Sequence, residues 1–471
     1  MSLWSAQDAA LATGGETAGD WQAEGVSIDT RTLQAGDLFV ALADQRDGHD
    51  FVAEALQKGA SAALVSRRPA DVLSDENLLY VKDVQAALEG LARAARQRSA
   101  AQVIAITGSA GKTSTKEMLR VMLQAQGKTH ASYASFNNHW GVPLTLASLP
   151  RDAAFAVVEI GMSNSGEIAP LARLVRPDAA LITTVAPAHL AAFENLEGIA
   201  REKAAIVQGL TAQGYAVLNA EAPCRSVMEQ AVAAKGCQSL WFGTGAAQAR
   251  IAQLSVKDGL TQVMASIGDL SLKFELHTVG RHFAMNALGA LALLSKLNAD
   301  VEKAARVLAQ WQPAEGRGMR HQLHASFGAF ELIDDAYNAN PVSMQAALDV
   351  LAQATSSRRV AFLGDMKELG ADERAHHSAL AQLPAIRNID LIHMAGPLMA
   401  ALHHSLPVEK RGQHFANAKE MAACVEDLLQ ADDCILVKAS LSSGLRQVVD
   451  AIKIISQSDP DCAARPVERK R

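Results

Sequence analysis

The stretch "VIAITGSAGKTSTKEML", Val103 to Leu119, joins an apolar β-branched run to a helical pattern through a loop of small residues. "VIAI" has the composition of a buried strand, and Met118, Leu119, Met122 and Leu123 recur on one helical face. Between them lies Gly108-Ser109-Ala110-Gly111. Small residues there let backbone N–H groups converge on an anion, while the helix N-terminus adds partial positive charge. Lys112 brings a full charge for outer phosphates, and the Thr113 hydroxyl suits Mg2+. Only two residues separate the glycines, so the common GxxxxGK[ST] spacing is not met. Strand, loop, Lys-Thr and helix in this order still point to an ATP site.

Outward from this motif, the runs "FAVVEIG", "AALITTV" and "YAVLNAE" alternate with helical patterns up to about Leu297. Such alternation predicts a mostly parallel sheet covered on both faces. Gln248 to Leu276 is more polar and fits an antiparallel excursion or a domain edge. On the amino-terminal side, "GDLFVAL", "SAALVS" and "NLLYVK" surround a short helix pattern, "FVAEALQKGA", stopped by Gly59. On the carboxy-terminal side the pattern restarts near "PAEGRGMR" with "AFELIDDAYN", "RVAFLGDM", "LIHMAG" and "CILVKAS". The expected fold is therefore α/β in three domains, residues 1–82, 83–313 and 314–471. The tail after Ile455 is polar and expected to fray.

The whole chain sets limits on function. Its 471 residues suit about two to four domains. Hydrophobic content is 49%, charged content 20% and mean hydropathy +0.05, as in globular proteins with ample core. The net charge of −6 and lack of a basic run argue against nucleic acid as a main partner. No apolar run has membrane-spanning length, and the start lacks a signal-peptide signature. The five cysteines have no CxxC or ligand-like spacing, which fits reduced thiols and a cytoplasmic location.

Three further polar residues fall at strand ends or on the next helix: Glu159 after "FAVV", His189 after "ITTVAPA", and Lys203 in "REKAAIV". Carboxyl ends of parallel strands face the ligand crevice, so Glu159 and His189 would look toward the loop. Singly, each is equally at home as a solvated carboxylate, a satisfied histidine or half of a helix salt bridge. Together, at successive strand ends after a phosphate loop, they form a candidate metal set.

The segments "TGSAGKTSTKEM", "NNHWGVPLTL", "VVEIGMSNSGEI", "APAHL", "REKAAI", "GRHFAMNALGALA", "DDAYNANPVSM" and "LGDMKELG" together resemble the Mur ligases of bacterial cell-wall synthesis. The matches run in order from about Asp29 to Lys438, and the family carries the shortened TGxxGKT loop. The resemblance implies a uridine-nucleotide domain at 1–82, a central phosphate-loop ATPase-like domain at 83–313, and a Rossmann-like domain at 314–471 that completes the ATP site and binds a dipeptide. It implies an ATP-dependent ligase joining D-alanyl-D-alanine to UDP-N-acetylmuramoyl-tripeptide through an acyl phosphate. A folylpolyglutamate-type ligase and a non-catalytic phosphate-loop regulator are the alternatives.

By the same resemblance, Thr107, Gly108, Ser109, Ala110, Gly111, Lys112 and Thr113 hold ATP, joined by Asn286, Arg317, Asp335, Tyr337 and Asn338. Thr113, Glu159, His189 and Lys203 hold two Mg2+ ions, with Lys203 N-carbamylated. Lys112, Lys203, His189 and Arg317 are the implied catalytic set. Substrate contacts fall to Ser27, Asp29, Thr30, Arg31, Gly48, His49, Asn137, Asn138, Lys438 and Ser440. A monomer without membrane insertion is expected. Two departures stand out: Ala439 and Leu441 in "VKASLSSG" replace a glycine and an arginine of the family pattern, and Ala43-Asp44 alters the "VALADQRDGHDF" loop.

Overall fold

The computed structural model describes residues 2–132, 135–188, 190–257 and 259–457. Three α/β units follow one another. In the first, strands Gly25–Ser27, Asp37–Val40, Ala62–Val65 and Leu78–Tyr80 run parallel, and Glu16–Thr17 adds antiparallel to the last. The alanine, valine and leucine side chains of Asp37–Val40, Ala62–Val65 and Leu78–Tyr80 are buried, which is why these runs show no polar alternation. Helix Val52–Gln57 ends just before Gly59, whose φ of 95° lies in the region glycine favours.

Helix Val84–Arg98 leads into the central sheet. Across that sheet the order is 270–276, 260–267, 249–257, 238–243, 215–219, 179–182, 102–107, 155–159, 129–131. Strand Gln102–Thr107 lies between Ala179–Ile182 and Phe155–Glu159, all parallel. The order therefore reverses beside the opening strand, which leaves a crevice beyond its carboxyl end. The polar stretch from Gln248 is an antiparallel extension, Ala249–Lys257, Leu260–Ile267 and Leu270–Leu276. Met118, Leu119, Met122 and Leu123 are fully buried on helix Lys112–Gln124, against the helix Arg281–Leu294 that covers the same face.

The third sheet runs 319–325, 328–335, 433–438, 358–364, 391–395, 411–415, parallel except for its first pair. The last helix, Arg446–Gln457, includes the first two residues of the tail expected to fray, and the rest of that tail lies outside the described residues. No helix among the described residues is long and apolar enough to cross a membrane.

Candidate active site

The phosphate loop sits where the sheet order reverses, and its neighbours hold it stiffly. Gly108 has φ 154°, and a Cβ there would collide with the Thr183 hydroxyl. Ser109 donates its N–H to Thr184 O at 2.9 Å, while its hydroxyl both donates to Ala186 O and accepts from Ala186 N at 2.9 Å. Thr183 Oγ1 donates to Ala110 O at 2.6 Å. Gly111, φ 81°, opens helix Lys112–Gln124, and a Cβ there would press on the Asn286 amide at 2.8 Å. Asn286 thus lies directly against the loop. Lys112 Nζ curls back to donate to Gly108 O at 2.7 Å. Burial lowers its pKa, with Glu159 opposing and Arg317 reinforcing the shift.

Next to the loop, Thr113 Oγ1 donates to Glu159 Oε2 at 2.9 Å, and Asn137 Nδ2 donates to Glu159 Oε1 at 2.7 Å. Gly161 leaves the room that Asn137 occupies. Two hard oxygen donors, a hydroxyl and a buried carboxylate, therefore adjoin the phosphate loop, the donor type Mg2+ prefers. Asn138 has a different job. Its Oδ1 accepts from Gly141 N at 2.9 Å at the start of helix Gly141–Ala147.

Lys203, on helix Leu196–Ala204, is 2% exposed. Among the described residues its Nζ meets only the Met162 thioether, at 3.8 Å, and no carboxylate lies within ion-pair distance. Neighbouring Glu202 is committed to the N–H groups of Gly166 and Ile168, each at 2.7 Å. Burial, reinforced by Lys112, drives the Lys203 pKa well below the usual lysine value. The side chain is thus a buried amine with no carboxylate partner among the described residues, and burial disfavours its charged form. His189 lies outside the described residues.

The facing wall comes from the third unit. Lys438 Nζ donates to Asp335 Oδ2 at 2.7 Å and to Asn338 O at 2.9 Å. Burial raises the Asp335 pKa, against the pull of Lys438. Arg317 stands between Gly316 and Gly318, φ 72° and 91°, both tied to Asp334. Its guanidinium donates to Ser135 Oγ at 2.8 Å and lies 4.2 Å over the Tyr337 ring. Tyr337 is therefore a shelf for Arg317. A cavity of about 320 Å3 is lined by Gly111, Asn286, Arg317, Asp335, Asn338 and Lys438, drawn from both units. His282 also lines it and is held neutral, its pKa lowered to about 4 by burial and by Lys438. Thr107 lies fully buried beneath the loop, and Ser440 is buried with its hydroxyl accepting from Lys367 N at 2.9 Å. Of the two family departures, Ala439 is buried and Leu441 is 59% exposed.

The first unit is more self-contained. Ser27 and Asp29 hydrogen-bond each other, Asp29 pairs with Arg31 at 2.6 Å, and Thr30 O accepts from Lys58. His49 has both ring nitrogens engaged, Nδ1 with Asp47 at 2.7 Å and Nε2 with Ser66 N at 3.0 Å. Gly48 packs against the backbone of Ala41 and Leu42. A cavity of about 510 Å3 opens where this unit meets the central one. His49 lines it, together with Asp44, Arg67, Lys82, His139 and Trp140, whereas Ser27, Asp29, Thr30, Arg31 and Gly48 do not. Sequence reading passes over Arg67 and Trp140 here, and over Ser135, Met162 and Asn340 in the central cleft. The one available signal was the cationic pair Arg67-Arg68 directly after an apolar run.

A phosphate loop at a switch point, covered by an arginine and an acid–lysine pair from a second α/β unit, defines a phosphate-loop protein with a two-walled site. Family profiles agree with this: "Mur ligase family, catalytic domain" matches residues 22–97, "Mur ligase middle domain" 106–294, and "Mur ligase, glutamate ligase domain" 319–441. The UDP-N-acetylmuramoyl-tripeptide–D-alanyl-D-alanine ligase of Rickettsia prowazekii is 31% identical, covering 95% of this chain and 99% of the relative. That of Escherichia coli K12 is 36% identical, over 91% of this chain and 94% of its own. The crystal structure of MurF from Acinetobacter baumannii superposes with a TM-score of 0.83 at 30% identity, covering 96% and 99% of the two chains. This chain belongs to the Mur ligase family.

Proposed function

We propose that the chain joins D-alanyl-D-alanine to UDP-N-acetylmuramoyl-tripeptide at the expense of ATP, a step of peptidoglycan precursor synthesis. The observation that carries this reading is the cleft in which the phosphate loop and Asn286 face Arg317, Asp335 and Lys438, with Glu159 hydrogen-bonded to Thr113 beside the loop. The relatives bearing that name match across nearly the whole chain.

When bound, ATP supplies the phosphoryl group that makes the tripeptide carboxylate an acyl phosphate, whose carbonyl the dipeptide amine attacks with loss of a proton and phosphate. Two anions must meet in the first step, so positive charge placed in advance lowers the barrier. Lys112 brings it from the loop and Arg317 from the opposite wall. By resemblance, the Asn286 amide would lie near the base and Asp335 on the ribose side. Thr113 and Glu159 would hold Mg2+, which adds further positive charge between the reacting groups. A protonated Lys203 would repel such an ion. As a neutral amine it attacks the carbon of CO2, forming an N–C bond and losing a proton, and so becomes a carboxylate-like ligand. By resemblance, His189 completes the second ion's ligands.

The unit from 1 to 82 is assigned to the uridine nucleotide, 83–313 to ATP, and 314–471 to completing the ATP site and receiving the dipeptide. We read the enzyme as cytoplasmic, which the free thiols of Cys224, Cys237, Cys424 and Cys434 fit and fractionation tests, and as a monomer, which light scattering tests. Phosphate release measured with UDP-muramoyl-tripeptide, with and without D-alanyl-D-alanine, tests the reaction. Release that depends on the dipeptide is expected. Turnover with folate and glutamate instead, or ATP binding without amide formation, would overturn the reading.

A further inference from the structure

Helix Pro341–Ala352 begins at Asn340, whose side chain is 4% exposed and divided between two elements. Its Oδ1 accepts from Ser343 N at 2.9 Å, and Ser343 Oγ accepts from Asn340 N at 3.0 Å, a reciprocal cap with Pro341 in the first turn. The cap fixes the amide's orientation, because only the oxygen can accept from Ser343. Nδ2 therefore points away from the helix, and it donates to Ser109 O at 3.2 Å, within the phosphate loop of the central unit. Ser109 is itself held on both sides by Thr184 and Ala186. Among the described residues, Arg317 also donates to Ser135 Oγ and Ala191 N to Glu368 O at 3.3 Å across the same two units. The Asn340 bond reaches the phosphate loop itself.

We propose that Asn340 is a positioning residue which sets the third unit in register on the phosphate loop. Arg317, Asp335 and Lys438 then reach the nucleotide only when the loop holds its anion-binding shape. The inference rests on the nucleotide reading given above. It assigns Asn340 no contact with the reacting atoms.

Two substitutions separate this role from helix capping. Asn340→Ser keeps an N-cap acceptor and deletes the cross-unit donor. Asn340→Asp keeps the cap and the shape but aims a carboxylate oxygen at Ser109 O. Both variants should melt within a few degrees of the wild type, since the cap survives. Asn340→Ser should lower kcat/KM for ATP by roughly three- to tenfold, the size of one neutral hydrogen bond. Asn340→Asp should lose more than Asn340→Ser. Both should need more non-hydrolysable ATP analogue to reach the compaction expected of the wild type in small-angle scattering. Variants that match the wild type in KM and compaction overturn the proposal, as does a loss that simply follows a fall in Tm. Asn340→Ala, which removes cap and donor together, calibrates that fall. A wild type that neither compacts nor turns over would instead bring down the functional reading, and this inference with it.

Discussion

The two walls of the cleft each bury a lysine, and they treat it differently. Lys438, 1% exposed on the third unit, meets Asp335 and a backbone carbonyl. Lys203, 2% exposed on the central unit, meets only a thioether among the described residues, with Lys112 adding repulsion. A buried charge is tolerated when it is paired and otherwise gives up its proton. The third-unit wall is therefore electrostatically complete as folded. On the proposed reading, the central wall is completed when Lys203 becomes a carbamate.

Replacing Lys203 breaks this contrast most severely. Lys203→Ala should lower kcat by on the order of a hundred- to a thousandfold, as for loss of a preorganised charged group at the reaction centre. Formate or acetate should restore part of that activity in steady-state assays, and full activity in the unrescued variant would remove the carbamate role. On the opposite wall, Lys438→Met leaves Asp335 buried without its cation. Stability should fall by about 2 to 3 kcal/mol in urea unfolding, and the double variant Lys438→Met/Asp335→Asn should recover most of it.

A third test sharpens the comparison through pH. The folded-state pKa of Lys203 lies below its unfolded value, so the unfolded chain binds the extra proton between the two. Stability in CO2-free buffer should then rise with pH across that window, by up to about 1.4 kcal/mol per pH unit, and Lys203→Met should flatten the slope. Lys438→Met should leave the Lys203 slope in place. The smallest effect belongs to the first unit. Hydrogen bonds from His49 N, Arg67 and the His49 ring hold the Asp47 carboxylate well below its ordinary value of 3.8. Its contribution is present above that value and lost as pH falls below it. Because the pair is partly exposed, Arg67→Ala should cost less than about 1 kcal/mol, seen as a slightly earlier acid transition.

The features the sequence shows best are those that local composition dictates. Runs such as "FAVVE" and "YAVLN" are apolar throughout because parallel strands covered on both faces are buried throughout. The phosphate loop is legible because its glycines answer to close neighbours, Thr183 and Asn286. The first-unit contacts were harder. His49 looks like a ligand in "DGHDF", yet both its ring nitrogens hold the turn to Asp47 and Ser66. The cross-unit residues were hidden for a geometric reason. Ser135 lies 182 residues from Arg317, and Asn340 lies 231 from Ser109, and no spacing rule reaches that far. Met162 beside Lys203 was equally silent, since what matters there is that no carboxylate among the described residues pairs with Lys203.

The lacing of Ser109 and Ala110 to the segment Thr183–Ala186 has a consequence for how the cleft empties. A loop sewn to the neighbouring strand end cannot peel away from spent nucleotide by itself. On the proposed reading, departure of ADP belongs to the retreat of the wall that carries Arg317 and Asn340, and the tempo of the cycle is expected to follow how readily those two side chains let go.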